Sequence, residues 1–227
     1  MALDKDIVGS IEFLEVEGLQ GSTYLLKGPN GEQVKLNQSE VADEDEFEIG
    51  EEYSFFVYPN RSGELFATQN MPDITKDKYD FAKVLKTDRD GARIDVGLPR
   101  EVLVPWEDLP KIKELWPQAG DYLLVTLRID SNNQMFGRLA SETIVEGMFT
   151  PVMDDSKQNE MIEARAYRLL RVGSFLLSED GYKIFVHESE RKQEPRLGEK
   201  VEVRIIGHND KGELNGSFLP LAHERLD

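Results

Sequence analysis

GEKVEVRIIGHNDKGELNGSF, residues 198–218, decides the fold. Val201, Val203 and Ile205 alternate with Glu202 and Arg204, the period of two that marks a half-buried strand. A polar Asn-Asp-Lys-Gly turn follows, and a second short strand runs through Leu214, so the stretch reads as a β-hairpin. The same hairpin occurs twice more, as GEEYSFFVYPNRSGELFAT from Gly50 and GDYLLVTLRIDSNNQMFGRLA from Gly120. Each copy opens with glycine and an acidic residue, and the copies start about 70 to 80 residues apart, a spacing that suits a small all-β domain better than a solenoid unit.

Working outward from the hairpins gives three units. In the first, strands are expected at Val8–Leu14, Ser22–Lys27 and Gln33–Asn37, with a Gly28-Pro-Asn-Gly31 turn and an acidic loop or single helical turn from Gln38 to Ile49 before the hairpin. After a short polar linker, Met71–Lys78, the second unit shows strands at Phe81–Lys86, Ala92–Val96 and Glu101–Val104. One or two helical turns broken at Pro110 follow, with Trp106 and Trp116 placed to cover the open end of that unit. A longer connection, Thr143–Ile162, with a turn at Asp154-Asp155-Ser156, is expected to pack on a neighbour or to move. The third unit shows strands at Tyr167–Val172, Phe175–Ser178 and Tyr182–Val186, a charged turn from His187 to Arg196, the closing hairpin and a charged tail, Ala222–Asp227. Five strands with a short helical element between the third and fourth describe a Greek-key barrel. The expected fold is therefore all-β: three tandem five-stranded OB-fold barrels at 1–70, 79–142 and 163–222, with a connector at 143–162.

Composition narrows the function. The chain has 227 residues, 39% hydrophobic and 31% charged, enough for three modest cores rather than one large one. It has no cysteine, which excludes disulfides and thiolate chemistry. The opening MALDKDIVGS lacks a basic stretch leading into an apolar one, and no apolar run approaches the ~20 residues that span a bilayer. A soluble cytoplasmic protein without membrane contact is expected. The net charge of −17 argues against coating nucleic acid through a general positive field. The acidity is uneven: residues 1–70 hold 4 Lys and Arg against 15 Asp and Glu, whereas residues 163–227 hold 11 against 12. His187, His208 and His223 are scattered, and no metal-ligand, nucleophile-elbow or phosphate-loop motif is present, so neither an enzyme nor a cofactor or metal site is expected.

Single-stranded nucleic acid needs ring faces for bases to stack on and a few cations for phosphates. Aligning the hairpins puts Phe66, Phe136 and Asn215 in one column of the returning strand, and Phe56, Thr126 and Arg204 in one column of the strand before it. By the period of two both columns point away from the core set Val57, Leu127 and Ile205. Phe66 and Phe136 are equally placed to stack a base or to pack against a neighbouring barrel, and Phe56, in so acidic a unit, suits an interface.

The third unit carries a specific resemblance. Val172-Gly-Ser-Phe-Leu176 resembles the second strand of the S1 domain, the RNA-binding module named after a ribosomal protein, and YKIFVHESE, Tyr182–Glu190, resembles its third. The second unit departs from that pattern, with Arg93 in place of the second-strand aromatic and Pro105 in place of the histidine; the first departs most, with Thr23 and Asn37 there. The whole chain is similar to the conserved virulence factor B family of Gram-positive bacteria, whose members resemble three S1-type barrels followed by a winged-helix domain. The resemblance implies an RNA-binding regulator of virulence-gene expression, of which this chain is the three-barrel part without the winged helix. It implies RNA contact at Phe175, Phe185, His187 and Arg204, with a core position as the other reading of Phe185. Together with Asn215, Phe136, Arg93 and Phe66, these are the candidate RNA-binding residues. Arg165, Arg168, Arg171, Lys183, Arg191 and Lys192 are candidate phosphate contacts or a solvated face. The expected partner is single-stranded RNA. A second reading makes acidic unit one, with Tyr53, Phe55, Phe56, Tyr58 and Phe66, a scaffold for a basic protein or for the absent winged helix.

Overall fold

The computed structural model describes residues 7–42 and 46–224. The first residues of the chain, 43–45 of the acidic loop and the last three of the charged tail lie outside the described residues. Three closed barrels of five strands account for nearly all the regular structure. Barrel one is built from β1 (Ile11–Gln20), β2 (Thr23–Lys27), β3 (Gln33–Asn37), β4 (Glu52–Pro59) and β5 (Leu65–Thr68). Barrel two follows with β6 (Asp80–Asp88), β7 (Gly91–Asp95), β8 (Val102–Pro105), β9 (Tyr122–Ile129) and β10 (Met135–Leu139). Barrel three has β11 (Met161–Leu170), β12 (Gly173–Ser178), β13 (Lys183–His187), β14 (Lys200–His208) and β15 (Leu214–Ser217). In each, the first three strands form an antiparallel meander, the fifth runs parallel to the third, and the fourth closes onto the first, the order of an OB fold. The one α-helix among the described residues is α1, Glu142–Glu146, whose N-cap Ser141 accepts from the Ile144 N–H.

Two expectations need correction. The first strand of barrel one runs Ile11–Gln20 instead of Val8–Leu14, and that of barrel three runs Met161–Leu170 instead of Tyr167–Val172, so it begins inside the stretch read as connector. Ile7 and Val8 lie in a turn buried with the core of barrel one, which alternation alone reads as strand, and beyond it both first strands share a second cause. Each strand carries a bulge, between Val16 and Gly18 and between Ala166 and Arg168, where register against the second strand shifts by one. A bulge reverses which residues face inward, so a single period of two cannot be followed across it.

The chain groups into two compact units, with the division passing through barrel two. The first holds barrel one, the segment after it through Asp80, Arg93–Pro105 and Val125–Arg138. Its barrel core is Leu14, Val16, Leu26, Val34, Leu36, Phe55, Val57 and their neighbours. The linker is packed there: Ile74 is buried, and Thr75 C=O accepts from the Thr126 hydroxyl at 2.7 Å while Arg128 Nη1 donates to Lys76 C=O at 2.8 Å. The second unit holds Phe81–Ala92, Trp106–Leu124 and everything from Leu139. Barrel three is filled by Ile162, Ala164, Leu176, Ile184, Val186, Val203, Ile205 and Leu214. The connector packs on it: Val152 joins that core, and the Ile205 and Asn159 N–H groups donate to Glu160 and Ile205 carbonyls at 2.9 Å. In the same unit the Tyr122 N–H donates to Gly198 C=O and Arg196 pairs with Asp121, both at 3.1 Å.

The inward row of β15 is set by space. A Cβ on Gly216 would collide with Val203 and approach Ile184 Cγ2 to 2.9 Å, while Asn215 beside it points outward. Gly216→Ala is expected to lower stability by ~1–3 kcal/mol through overpacking. Asn215→Ala is expected to stay within ~0.5 kcal/mol of the parent. Urea denaturation of the two variants checks both.

Candidate nucleic-acid interface

On the outer face of barrel three, register brings one row of side chains together across four strands. Arg168 on β11 lies opposite Phe175 on β12, Phe175 opposite Phe185 on β13, and Phe185 opposite Asn215 on β15. The Phe175 and Phe185 rings pack at 4.9 Å between centroids and 41°. Both are half-buried, so each keeps surface open to solvent. His187, two residues along β13, is exposed, and its ring lies edge-on to Phe185 at 6.3 Å and 73°. The His187 Nδ1 accepts the Ser189 N–H at 3.1 Å, which orients the imidazole. Phe185 can occupy this outward position because residue 173 is glycine. A Cβ there would stand 2.5 Å from the Phe185 ring and from Val186 C=O. The alternative of a core position for Phe185 is therefore excluded; the adjacent Ile184 and Val186 fill the core.

A second row, one step along the same face, is closed off. Lys183 points outward with Phe185 but its side chain is 4% exposed. Its ammonium is held by Glu142 from α1 and by Glu213 at 2.7 Å, and it faces the Phe149 and Phe175 rings at 5.8 and 5.5 Å. Burial alone would lower the Lys183 pKa, but hydrogen bonds to the two glutamates outweigh it and hold the pKa above the ordinary lysine value. Burial raises the Glu213 carboxyl, yet the hydrogen bonds from Lys183 and Asn209 bring it below its usual range. Glu142 also accepts from the Tyr167 hydroxyl and from Arg168 Nη1 at 3.2 Å, and burial followed by the Glu142 charge drives the Tyr167 pKa up. Arg168 stays about two-fifths exposed, with its guanidinium 5.5 Å over Phe175. It cradles the stacking pair from one side.

These facts sort the candidates. Phe175, Phe185, His187 and Asn215 converge. Arg204, opposite Ser217 on the outer face, donates to Leu219 C=O at 3.3 Å. Phe136 lies in barrel two opposite Leu103, where Arg93 on β7 pairs with Glu101 at 3.8 Å. Phe66 lies in barrel one opposite Lys35 and packs beside Tyr58 at 6.3 Å. Register puts Leu25, not Thr23, at the barrel-one equivalent of Phe175, since Leu25 faces Lys35 as Phe175 faces Phe185. Among the basic residues, Lys183 is neutralised as above, and Arg191 donates to Ser174 Oγ at 2.7 Å, so neither is a solvent-facing phosphate contact. Arg165 lies 4.3 Å over the Tyr122 ring. Arg171 and Lys192 are exposed. Trp106 is 53% exposed, and Trp116 donates its indole N–H to Pro110 C=O at 2.6 Å. The Glu142–Lys183–Glu213 convergence left no local signal, because its members come from three separated segments. Among the described residues no group of three or more His, Cys, Asp or Glu is placed to hold a metal ion, and no helix is long and apolar enough to cross a membrane.

Three stretches of the chain match known family models. Residues 148–220 match the family model for the second domain of the virulence regulatory factor CvfB, residues 79–138 that for the CvfB first S1-like domain, and residues 8–70 an S1 domain. The chain is 92% identical over 227 residues to conserved virulence factor B of Staphylococcus epidermidis, covering all of this chain and 76% of that protein. The chain belongs to the conserved virulence factor B family. Other members of the family are the Staphylococcus haemolyticus and Staphylococcus aureus proteins, at 88% and 86% identity over the same share. A crystal structure of a multidomain protein with nucleic acid binding domains from Streptococcus pneumoniae superposes with a TM-score of 0.83 at 29% identity, covering 97% of this chain and 76% of that one.

The ion-pair cluster makes a pH-dependent prediction. The depressed Glu213 pKa contributes stability above the ordinary carboxyl range, which is lost as pH falls through the folded value. Glu213→Gln is therefore expected to cost ~1.5–3 kcal/mol at pH 7, the range for hydrogen bonds to charged groups. The difference from the parent should shrink at pH 3, as read from urea midpoints at the two pH values.

Proposed function

We propose that this chain is an RNA-binding regulator that takes single-stranded RNA on the outer face of barrel three and acts on virulence-gene expression after transcription, in the cytoplasm. One observation carries the reading: two phenylalanine rings 4.9 Å apart on adjacent strands, half-open to solvent, with an exposed histidine at one end and an arginine over the other. Such a platform accepts a base by stacking, at ~1–3 kcal/mol per base, and is tolerant of base identity. Asn215 and His187 offer polar edges beside the rings for a base or a 2′-hydroxyl. Family membership and the nucleic acid binding domains named for the Streptococcus pneumoniae structure support it. The second barrel offers a weaker platform, in which Phe136 lies beside Leu103 and Arg93 stands in for an aromatic. The role is binding and carries no catalysis.

The test is a titration with fluorescently labelled oligouridine. Phe175→Ala and Phe185→Ala are each expected to weaken binding by ~5- to 150-fold, the equivalent of one lost stack. His187→Ala and Phe136→Ala should have smaller effects. The logarithmic salt slope should be shallow, about −0.7 for each phosphate contacted by Arg168 or Arg171. No binding by the parent chain, or no loss in the double variant of Phe175 and Phe185, would sink the reading.

A further inference from the structure

The outer face of barrel one carries an apolar strip where alternation calls for polar residues. On β1 the inward residues Leu14 and Val16 are fully buried, and the outward ones are Ile11, Phe13 and Glu15. Phe13 is 68% exposed and Ile11 46%. Across the strand pair, Phe13 lies opposite Ser54, and Ile11 opposite Phe56. Phe56 is fully buried but stands outside the cluster that fills the barrel. The strip Phe13–Ile11–Phe56 thus runs from an open end to a covered one. Tyr53, Phe55 and Tyr58, the aromatics that marked this unit as a scaffold, are instead engaged: Phe55 in the core, Tyr53 against Phe47 at 4.8 Å, and Tyr58 buried with its hydroxyl pKa pushed up to about 12 by burial and Glu40. An exposed apolar residue by itself is ordinary. Here two neighbouring positions of one face are apolar, and carboxylates lie beyond the Phe13 end of the strip. Glu15 faces Glu52 in register, Glu17 lies further along β1, and Glu51 precedes β4; Lys27 lies opposite Glu15 on the other side.

We propose that this face docks a basic, apolar segment of a partner protein, whose apolar side chains cover Phe13 and Ile11 while its Lys and Arg meet Glu15, Glu17 and Glu52. Charge selects the occupant. Nucleic acid and anionic lipid are repelled by the same carboxylates, and a second copy of this face would bring Glu15 and Glu52 against themselves. The five strands close into a barrel, and the recognition proposed here runs through outward side chains. The surface lies on another barrel from the proposed RNA face and takes another class of partner, so the two readings stand or fall separately.

The test uses the full chain and a fluorescein-labelled amphipathic peptide of lysine and leucine, with a lysine–serine and a glutamate–leucine peptide as controls and labelled oligouridine as a separate arm. The lysine–leucine peptide should bind and both controls should bind at least about tenfold more weakly, since both apolar and charged contacts are required. Phe13→Ser should weaken the lysine–leucine peptide about tenfold or more and leave oligouridine unchanged. Phe13 is exposed, so the variant should keep the parent melting temperature, and Glu15→Gln with Glu52→Gln should flatten the salt dependence of peptide binding. Equal peptide affinity in Phe13→Ser and the parent, or equal binding of the lysine–serine peptide, would overturn the proposal. So would loss of oligouridine binding in Phe13→Ser, which would make this a nucleic-acid face. Failure of oligouridine to bind the parent bears on the RNA reading alone.

Discussion

A lysine that points away from its own barrel core yet is shut off from water shapes the outer face of barrel three. A buried ammonium needs compensating charge, and Lys183 has it from two carboxylates brought by segments outside its own strand. Removing either partner leaves a charge poorly solvated. Glu142 is therefore held on the barrel, and with it the start of the connector; Phe149 closes over the same ammonium. The connector covers one row of the outer face and stops short of the next. The uncovered row is the one with Phe175, Phe185 and Asn215. The position of the candidate site thus follows from where the ion pair ends.

The three barrels share an inward pattern and differ outward. Inward residues answer to closure of five strands around a small core, where even one added Cβ at Gly216 has nowhere to go. Outward residues answer to whatever lies outside. At equivalent positions barrel one has Leu25, Lys35 and Phe66, with Lys35 paired to Glu64 at 2.9 Å. Both members of that pair are half-exposed, so the contact contributes little, in the range of ~0–1 kcal/mol. Barrel three has two rings packed at a tilt there. At these positions the same scaffold presents a lysine–glutamate pair in one copy and an aromatic pair in another.

Much of this was legible in the chain. β3 falls at Gln33–Asn37, where alternation and a Pro-Asn-Gly turn had put it, because strands bounded by turn residues and free of bulges keep one phase. The two first strands were misplaced because a bulge changes phase midway. Phe175, Phe185 and His187 were found from a local motif, and they sit together because β12 and β13 are joined by a short hairpin. Parity placed Phe56 outward, but parity says nothing of what lies beyond, and the residue is fully buried. The neutralisation of Lys183 was out of reach for the same reason: its partners lie 41 positions before and 30 after it, and only the closed barrel and the packed connector bring them into contact.

An acidic protein with a proposed RNA face poses an electrostatic question that distance answers. At physiological ionic strength a charge is screened over ~8 Å, so a carboxylate farther than that from Phe175 and Phe185 acts only weakly on them. What acts there is local: Arg168, Arg171 and the carboxylates of Glu142 and Glu213, of which the two glutamates are already engaged with Lys183. With few cations beside the rings, the proposed RNA binding must draw most of its affinity from stacking. Away from the platform the imbalance is severe, with 15 acidic against 4 basic residues in the first 70. A polyanion that approaches barrel one meets repulsion at close range. The acidity therefore leaves room for the proposed RNA face, where carboxylates are already paired, and disfavours the weak, sequence-independent contacts that a basic protein makes over its whole surface.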